Sequence, residues 1–249
     1  MTTRSAFQPS GNTYIDILNM IIRCDKQGIS RLPSENEISE ALNISRIKAR
    51  DALAMLEADS YIIRKRGIGT VINTPVLRER IHLDMYSSLY DQIQSAGHKA
   101  DASLIEIKDL DFVEPDLAEI FSVSPRTPFI RIRTLTCMDD KPVCCKDFYV
   151  PASSFSRRGV DKRKLVRGLV LPLIPSMAAE ADSQIMRVRA VPTDDSELAE
   201  AMETAKGFPL LMAESVCHSE TQVPLFVERA LFNTTLLPLS LVNHFYKAK

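Results

Sequence analysis

The chain has 249 residues, and its 31 Lys+Arg and 32 Asp+Glu leave a formal net charge of −1, so overall charge does not indicate a nucleic-acid partner. This length is sufficient for one or two domains with buried cores. No run of about 18 apolar residues predicts a membrane span, and the N-terminus lacks the apolar stretch of a signal peptide. We therefore expect a cytoplasmic protein that does not contact a membrane.

The cysteines and histidines do not follow a recognisable ligand pattern. The five cysteines have no C-x-x-C spacing, and the four histidines are scattered along the chain. A disulfide framework or a zinc site is therefore not expected, and we expect no cofactor. Cys144 and Cys145 are adjacent in a strand-like run, which would point them to opposite faces, and inert packing is favoured over a redox role.

The first part of the chain predicts two helices in close succession. A stretch within residues 11–28 carries apolar residues at helical spacing: Ile15, Leu18 and Ile22. Gly28 is positioned to end this helix. Ser34, followed three residues later by Glu37, forms a capping box that begins a second helix, and the acidic first turn suits the helix dipole. The second helix would bury Ile38, Ala41 and Leu42.

A third helix with a basic N-terminal half is predicted directly after the second. Ser45 is its N-cap, it runs to about Asp59, and its core-facing positions follow at i, i+3, i+4 and i+7: Ala49, Ala52, Leu53 and Leu56. Arg46, Lys48 and Arg50 lie in the leading half, and Arg46 and Arg50, four residues apart, share another face. Two helices, a tight turn and a basic third helix are typical of a helix-turn-helix motif, whose second helix enters the major groove of DNA.

Residues 61–72, YIIRKRGIGTVI, predict a β-hairpin whose glycines lie at the tip, where a positive φ is often needed. Three consecutive cations stand on this hairpin: Arg64, Lys65 and Arg66. Beside a basic recognition helix, such a wing can reach phosphates or the minor groove. The alternative is a solvated charge run, with Arg50 paired to Glu57 or Asp51. Because both basic elements occur in this order, DNA binding is favoured.

The segment LPSENEISEALNISRIKARDALAMLEADSYIIRKRGIGTVI resembles the winged-helix domain of GntR-type bacterial transcription regulators. The shared pattern is Leu-Pro-Ser-Glu at the second helix, Ser-Arg-x-x-x-Arg-x-Ala-Leu in the third, and Arg-x-Gly-x-Gly-Thr in the wing. Asn36 stands where this family often has an arginine, and Ile47-Lys48 replaces a common pair of small hydroxyl residues. Motifs and resemblance together predict this DNA-binding set: Ser34, Glu35, Ser45, Arg46, Ile47, Lys48, Arg50, Arg64, Lys65, Arg66, Gly67 and Gly69.

The remainder of the chain predicts helices and strands joined by hairpins. A helix ends at Gly97, a strand and a short helix follow, and two strands within 128–151 turn at Asp139-Asp140. A helix in 193–207, with Thr193 or Ser196 as N-cap and Gly207 as its stop, precedes a final hairpin in 209–233. This order indicates an α+β domain with a largely antiparallel sheet. It resembles the UTRA effector domain of the HutC-like branch, which is similar in fold to chorismate lyase. The predicted boundaries are 1–74 for the winged helix-turn-helix, 75–82 for a linker and 83–249 for the UTRA domain.

Domains of this kind generally bind a small, often anionic, metabolite, and pairs of arginines in this domain are the candidates. Arg131 and Arg133 share one strand face at i, i+2, and a guanidinium suits a phosphate, sulfonate or carboxylate. Arg189, with its neighbour at 187, forms a competing pair, and the polar loop 153–158 is another candidate. Residues that could read hydroxyls or an amine complete the effector set: Asp147, Tyr149 and Glu228. The alternative is a set of salt bridges across a sheet.

These patterns predict a ligand-responsive DNA-binding regulator and not an enzyme, and they favour a repressor over an activator. Its expected partners are a double-stranded operator with an inverted repeat, a second copy of the chain and a small anionic metabolite, and DNA binding would place it at the nucleoid. One alternative is a lyase-like enzyme with an N-terminal docking domain, but no nucleophile stands beside a histidine and there is no phosphate-binding glycine loop. Another alternative is a second domain that only dimerises.

Overall fold

The structure is a computed structural model, and it describes residues 13–65, 67–78, 81, 83, 88–155 and 181–241. The described residues divide between two compact units, Met1–Ser87 with Ser240–Lys249 and Ser88–Leu239. No helix in the described ranges combines the length and the apolar character that crossing a membrane requires. The predicted boundaries at 74 and 82 stay a prediction.

The first unit contains four helices and a two-stranded antiparallel hairpin within the described ranges. In chain order its elements are α1 (Thr13–Lys26), α2 (Glu35–Leu42), α3 (Arg46–Ala58), β1 (Ile62–Lys65), β2 (Gly69–Ile72) and α4 (Thr74–Arg78). The three predicted helices and the predicted hairpin are therefore confirmed. The predicted linker begins with the short helix α4, which sequence analysis did not anticipate.

The helix ends of the first unit follow the predicted capping chemistry. The backbone N–H of Glu37 donates to Oγ of Ser34 at 3.3 Å, and Oε2 of Glu37 accepts from the backbone N–H of Ser34 at 2.7 Å. Oγ of Ser45 accepts from the backbone N–H of Lys48 at 3.3 Å. Between the two caps, Asn43 adopts a left-handed conformation with φ of 53°, which ends α2 and lets the chain turn directly into α3.

The core of the first unit lies where α1, α2 and α3 meet the hairpin. Its largest fully buried side chains come from every one of these elements: Ile17, Ile21, Ile38, Leu53, Leu56 and Ile62. The predicted buried face of α3 is confirmed, whereas in α1 only Leu18 of the three predicted apolar residues is buried. Ile15 and Ile22 are half-buried, whereas Tyr14, Ile17 and Ile21 are buried. Ala41 is exposed. Because α1 carries apolar residues on more than one side, packing against the neighbouring elements decides which of them are buried.

The second unit is a six-stranded sheet, antiparallel throughout, in the order β3-β4-β5-β8-β7-β6, with three α-helices among the described residues. Its elements are α5 (Leu89–Ser95), β3 (Ala100–Leu110), α6 (Pro115–Phe121), β4 (Phe129–Met138), β5 (Lys141–Pro151) with a 3₁₀ turn at Ala152–Ser154, β6 (Ala181–Pro192), α7 (Ser196–Ala201), β7 (Pro209–Ser219) and β8 (Pro224–Phe232). The predicted α+β class is confirmed. Strand β6 was not predicted.

The predicted ends of α7 are wrong. The N-cap is Asp195, whose Oδ1 accepts from the backbone N–H of Glu197 at 3.0 Å. Thr193, one of the two predicted caps, instead donates its hydroxyl to the carbonyl of Phe208 at 2.8 Å. The helix ends at Ala201, well before Gly207. Several short polar side chains in this segment can cap a helix by local hydrogen bonding, so tertiary contacts decide which of them is the N-cap.

The two faces of the sheet are covered differently. Paired residues on neighbouring strands share a face, so the register assigns each side chain to one of the two faces. On one face, which we call the charged face, α6 packs over apolar residues near Tyr149 and Val227, and α7 packs over others near Met212 and Leu231. The opposite face carries an apolar cluster that includes Ile132, Phe148, Phe226 and Cys217.

The adjacent cysteines of β5 follow the strand alternation that the sequence predicts. Cys145 packs in the cluster beneath α7, whereas Cys144 points to the other face, and both are fully buried. Burial raises the pKa of the Cys145 thiol to about 12 and raises the pKa of Cys144 as well. Both thiols therefore stay protonated at neutral pH, which agrees with a packing role.

Candidate functional site

The N-terminal half of α3 presents three cations to solvent. Its opposite side, Ala49, Ala52, Leu53 and Leu56, is buried in the core, so the cations at positions 46, 48 and 50 face outward. Within the described part of the chain, Arg46, Lys48 and Arg50 form no ion pair. The alternative partners of Arg50, Glu57 and Asp51, do not bind it. Unpaired, exposed guanidinium and ammonium groups on a rigid helix are suited to phosphates and to the edges of bases.

The wing lies next to α3 and turns at its glycines. Gly67 and Gly69 have φ of 79° and 99°, a left-handed region that other residues rarely adopt, which explains glycine at both positions. Lys65 and Ile68 are exposed near the tip. Arg66, which the sequence assigns to the same surface, lies outside the described residues.

Arg64 and Glu35, both predicted to contact DNA, contact each other instead of standing free. The guanidinium of Arg64 lies 3.3 Å from Glu57 and 3.7 Å from Glu35, measured from nitrogen to carboxylate oxygen. The backbone N–H of Arg64 also donates to Glu57 at 3.0 Å. These contacts join β1 of the wing to α3 and α2. The structure therefore gives Arg64 a role in positioning the wing, in addition to any contact with a phosphate.

Arg31 is an exposed cation that sequence reasoning missed. The backbone N–H of Leu32 donates to the carbonyl of Thr70 at 3.0 Å, and Arg31 forms an isolated β-bridge with Val71, so the segment before α2 lies against β2 of the wing. The guanidinium of Arg31 covers Gly69, where a Cβ would lie 2.9 Å from Nη2. A cleft of about 290 Å³ between α2 and the wing is lined by both residues. The signal available in the sequence was a cation directly before Leu-Pro-Ser.

Four of the six predicted effector residues come together on the charged face of the second unit. The strand register pairs Arg131 with Tyr149 and Arg133 with Asp147. Nε of Arg133 donates to Oδ1 of Asp147 and Nη2 donates to Oδ2, both at 2.7 Å, in a bidentate pair that is buried on both sides. This hydrogen bonding raises the pKa of Arg133 further above its ordinary value. The salt-bridge alternative is thus realised, but in the interior instead of on the surface.

Arg131 is only partly satisfied by its surroundings. Its Nη2 donates to Oε1 of Glu106 on β3. Its Nε is buried and has no hydrogen-bond partner among the described residues. A buried donor without an acceptor costs free energy, so this position calls for an acceptor from outside the described chain. Burial raises the pKa of the neighbouring Tyr149 to about 12, and Asp147 adds to the shift, so the phenol stays protonated at neutral pH.

Arg229 lies at the middle of the charged face and was also missed. Its Nε donates to Glu214 at 2.9 Å and its Nη1 to Glu114 at 2.6 Å, while Nη2 donates to Asp116. Its guanidinium carbon lies 5.4 Å from the ring centroid of Tyr149. Because Glu114 and Asp116 belong to the start of α6, Arg229 fastens that helix to the sheet. Period-two alternation through the final hairpin could have identified it, since it shares a face with Asp147.

The remaining two predicted effector residues do not join this group. Glu228 points to the opposite face, where its Oε1 accepts from Nζ of Lys146 at 2.9 Å. Arg189 is exposed on β6, which three strands separate from β4. At about 4.8 Å per strand, Arg189 lies roughly 19 Å from the β4 arginines. Loop 153–158 falls partly outside the described residues.

The family comparisons agree with this division into two units. The description "Bacterial regulatory proteins, gntR family" matches residues 9–72, and "UTRA domain" matches residues 95–238. The second match alone spans more than half of the chain. Both matched families are the ones that the sequence motifs resemble.

Curated relatives match the chain over part of its length. The HTH-type transcriptional regulator YurK of Bacillus subtilis (strain 168) is 29% identical over 153 residues, which are 59% of this chain and 61% of YurK. The HTH-type transcriptional repressor NagR of the same organism is 28% identical over 120 residues, 48% of each chain. The histidine utilization repressor of Pseudomonas putida is 32% identical over 100 residues, 39% of this chain and 40% of that protein. The chain therefore spans about half the length of the curated relatives it matches.

Solved structures share the fold at low sequence identity. YydK from Bacillus subtilis subsp. subtilis str. 168 has a TM-score of 0.64 at 14% identity, with 93% of this chain and 99% of YydK covered. PhnF from Mycobacterium smegmatis has a TM-score of 0.52 at 20% identity over the same shares of the two chains. With the family matches to both units, the conclusion follows that the chain belongs to the GntR family of bacterial regulatory proteins and carries a UTRA domain as its second unit.

Proposed function

We propose that the protein is a sequence-specific DNA-binding transcription regulator, and that it acts as a repressor and not as an activator. The observation that carries the proposal is a set of exposed cations on the N-terminal half of α3 that form no ion pair with any described residue: Arg46, Lys48 and Arg50. The wing beside them adds Lys65, and α3 is held rigidly by its buried side. In this geometry α3 enters the major groove and the wing tracks the neighbouring backbone. Family membership supports the same function, since its description names regulatory proteins.

The regulator acts as a homodimer on an inverted repeat. A two-fold symmetric pair of winged helices matches two half-sites about one helical turn apart, which is the usual geometry for this motif. Such a regulator works in the bacterial cytoplasm and is nucleoid-associated when bound to DNA. Sedimentation equilibrium of the full chain, alone and with a selected duplex, tests this arrangement, and one chain per duplex contradicts it.

Salt dependence of duplex binding tests the DNA proposal. Affinity should fall steeply on a log–log plot, because each phosphate contact releases counterions. Arg46→Ala and Arg50→Ala should each flatten the slope by about one unit and weaken binding. Lys206→Ala, an equal change of charge at an exposed position in the second unit, is the matched control and should alter neither. A salt-insensitive affinity, or equal effects of all three substitutions, contradicts the proposal.

We infer that the charged face of the UTRA domain binds a small anionic metabolite that alters operator affinity. The buried Nε of Arg131 has no hydrogen-bond partner among the described residues, and it carries this inference because an anionic oxygen would accept from it. Arg133 already forms a bidentate pair with Asp147, so it orders the site and holds the neighbouring strand, while Arg131 binds the ligand. Tyr149, which pairs with Arg131 in the strand register and stays protonated, would donate its hydroxyl to the same ligand.

A ligand screen by thermal shift tests this inference with the full chain. A panel of sugar phosphates, sulfonates and carboxylates is compared with a panel of amines, and binding to the native state should raise the melting temperature. Arg131→Ala should abolish the shift, Arg131→Lys should retain part of it, and Arg189→Ala, on the exposed edge strand, should retain all of it. A shift from amines alone, or none from any compound, contradicts an anionic effector. The second result supports a domain that only dimerises.

A further inference from the structure

Ile47 is a large apolar side chain exposed in the middle of the cationic surface of α3. It is 64% exposed, and its neighbours Arg46 and Lys48 are exposed as well. An isoleucine exposed to water does not gain the free energy that burial of its hydrocarbon would contribute. A single exposed isoleucine is unremarkable by itself, so its position on the helix decides its meaning.

The helical period places Ile47 first in a strip of residues on the side of α3 that faces away from the core. Residues at i, i+3, i+4 and i+7 share one side of a helix, and this side consists of Ile47, Arg50, Asp51 and Ala54, all exposed. Leu56, nine residues beyond Ile47, is fully buried on the opposite side. The isoleucine therefore points directly away from the core, in the direction that enters the groove if α3 is the recognition helix.

Asp51 indicates which part of DNA this strip faces. It is exposed one turn after Ile47 and forms no ion pair with any described residue. A carboxylate held against the phosphate backbone would be repelled, whereas at the base edges it can accept from the amino group of cytosine. The strip that contains Ile47 thus suits the floor of the major groove, and the backbone is left to the flanking cations.

We propose that Ile47 is a specificity-determining residue that packs against the 5-methyl group of a thymine in each half-site. The proposal rests on the proposed DNA-binding function. Among the groups that base pairs display in the major groove, the thymine methyl is the apolar one, and the others are hydrogen-bond donors and acceptors. An unbranched polar residue could bond to those groups, but a β-branched hydrocarbon gains only from the methyl.

The experiment begins with selection of duplexes from a randomised pool by the full-length protein. Each thymine of the selected sequence is then replaced by deoxyuridine, which removes only the methyl group. The wild-type protein should lose about 4-fold in affinity at one position of each half-site, the equivalent of one buried CH₂-sized group. Ile47→Ala should bind the thymine duplex less tightly and show no further loss with deoxyuridine. Its salt slope should equal that of the wild type, because no charge has changed.

Two comparisons make the outcome decisive. Ile105→Ala, at an exposed isoleucine in the second unit, should keep the full deoxyuridine penalty. Because Ile47 is exposed, Ile47→Ala should also keep the wild-type melting temperature. An enriched sequence with no methyl-dependent position, or an equal penalty in Ile47→Ala, overturns the assignment of Ile47 while leaving DNA binding intact. Selection that enriches no sequence overturns the proposed function, and this inference with it.

Discussion

The guanidinium of Arg64 lies between Glu57 and Glu35, so only part of its charge is available to a DNA phosphate. All three side chains are more than a third exposed, which makes these ion pairs weak, about 0–1 kcal/mol each. The contacts therefore matter less for stability than for placing the wing and for lowering the net positive charge beside α3.

Glu57→Gln should strengthen duplex binding at low salt. The substitution keeps an oxygen that accepts from the Arg64 backbone N–H, but it removes one negative charge and releases the guanidinium. We expect a gain of about 2- to 4-fold, within the range of a surface ion pair, and a smaller gain as salt screens the charge. Fluorescence anisotropy with a selected duplex measures it. Glu220→Gln, at an exposed acid of the second unit, should have no effect, and unchanged or weaker binding by Glu57→Gln contradicts the expectation.

The pair between Arg133 and Asp147 is the opposite case, since both groups are buried. Asp147→Asn leaves the charge of Arg133 in the interior without its bidentate partner, which typically costs about 3–5 kcal/mol. We expect the low end of this range, because Asp195 and Glu197 lie 3.7 and 3.9 Å from the Arg133 guanidinium. Urea denaturation of the full chain measures the loss.

Asp195→Asn is the matched comparison for this pair. Asp195 is about half exposed, so the loss of its charge should lower the free energy of unfolding by less than about 1 kcal/mol. Equal losses from the two substitutions would show that burial does not set the strength of the Arg133 pair.

The wing depends on two glycines that differ in one respect. Both have positive φ, but a Cβ on Gly67 meets no atom of the described residues within 4 Å, whereas a Cβ on Gly69 lies 2.9 to 3.3 Å from the guanidinium of Arg31. Backbone strain is therefore common to both positions, and steric conflict with Arg31 is specific to Gly69.

Gly69→Ala should weaken duplex binding more than Gly67→Ala. Each substitution pays a strain of about 1–2 kcal/mol for a left-handed residue, and Gly69→Ala must also displace the Arg31 side chain. The double variant Arg31→Ala/Gly69→Ala should lose no more duplex affinity than backbone strain at position 69 and loss of the Arg31 charge together explain. Anisotropy and thermal denaturation measure both effects together. Equal effects of the two glycine substitutions would mean that Arg31 yields freely.

Coupling between the two units is expected at the level of the whole regulator. If a compound from the sugar-phosphate panel stabilises the protein and alters duplex affinity, linkage requires the duplex to alter the affinity of that compound by the same factor. A typical coupling is about 5- to 150-fold. Titrating each partner in the presence and absence of the other measures both factors. An effect of the compound on duplex affinity with no reciprocal effect would place its binding outside this protein.

Most of the first unit could be predicted because its information is local. Capping at Ser34 and Ser45, the apolar period of α3 and the paired glycines of the wing all act over a few residues. The outward direction of Arg46, Lys48 and Arg50 follows from that period. The position of Arg31 does not follow from local sequence, because it depends on a bridge to Val71, forty residues away in the chain.

The second unit was predictable in class but not in its site. Hairpins and a helix identified an antiparallel α+β fold, and the register of adjacent strands brought Arg131, Arg133, Asp147 and Tyr149 together as expected. Glu228 was assigned to the wrong group, because one residue of register moves a side chain to the other face of a sheet. Its neighbour Arg229 occupies the charged face instead.

The sequence by itself determined the family, the order of the elements and the cationic helix, because motifs, caps and apolar periods are properties of neighbouring residues. Only the tertiary structure decided which charges are neutralised: Arg64 by Glu57, Arg133 by Asp147, and Arg229 by carboxylates from β7 and α6. Ion pairs depend on distances of a few ångströms between groups far apart in the chain. Those distances are set by packing and strand register, so they also decided that Arg131 retains a buried donor without a partner among the described residues.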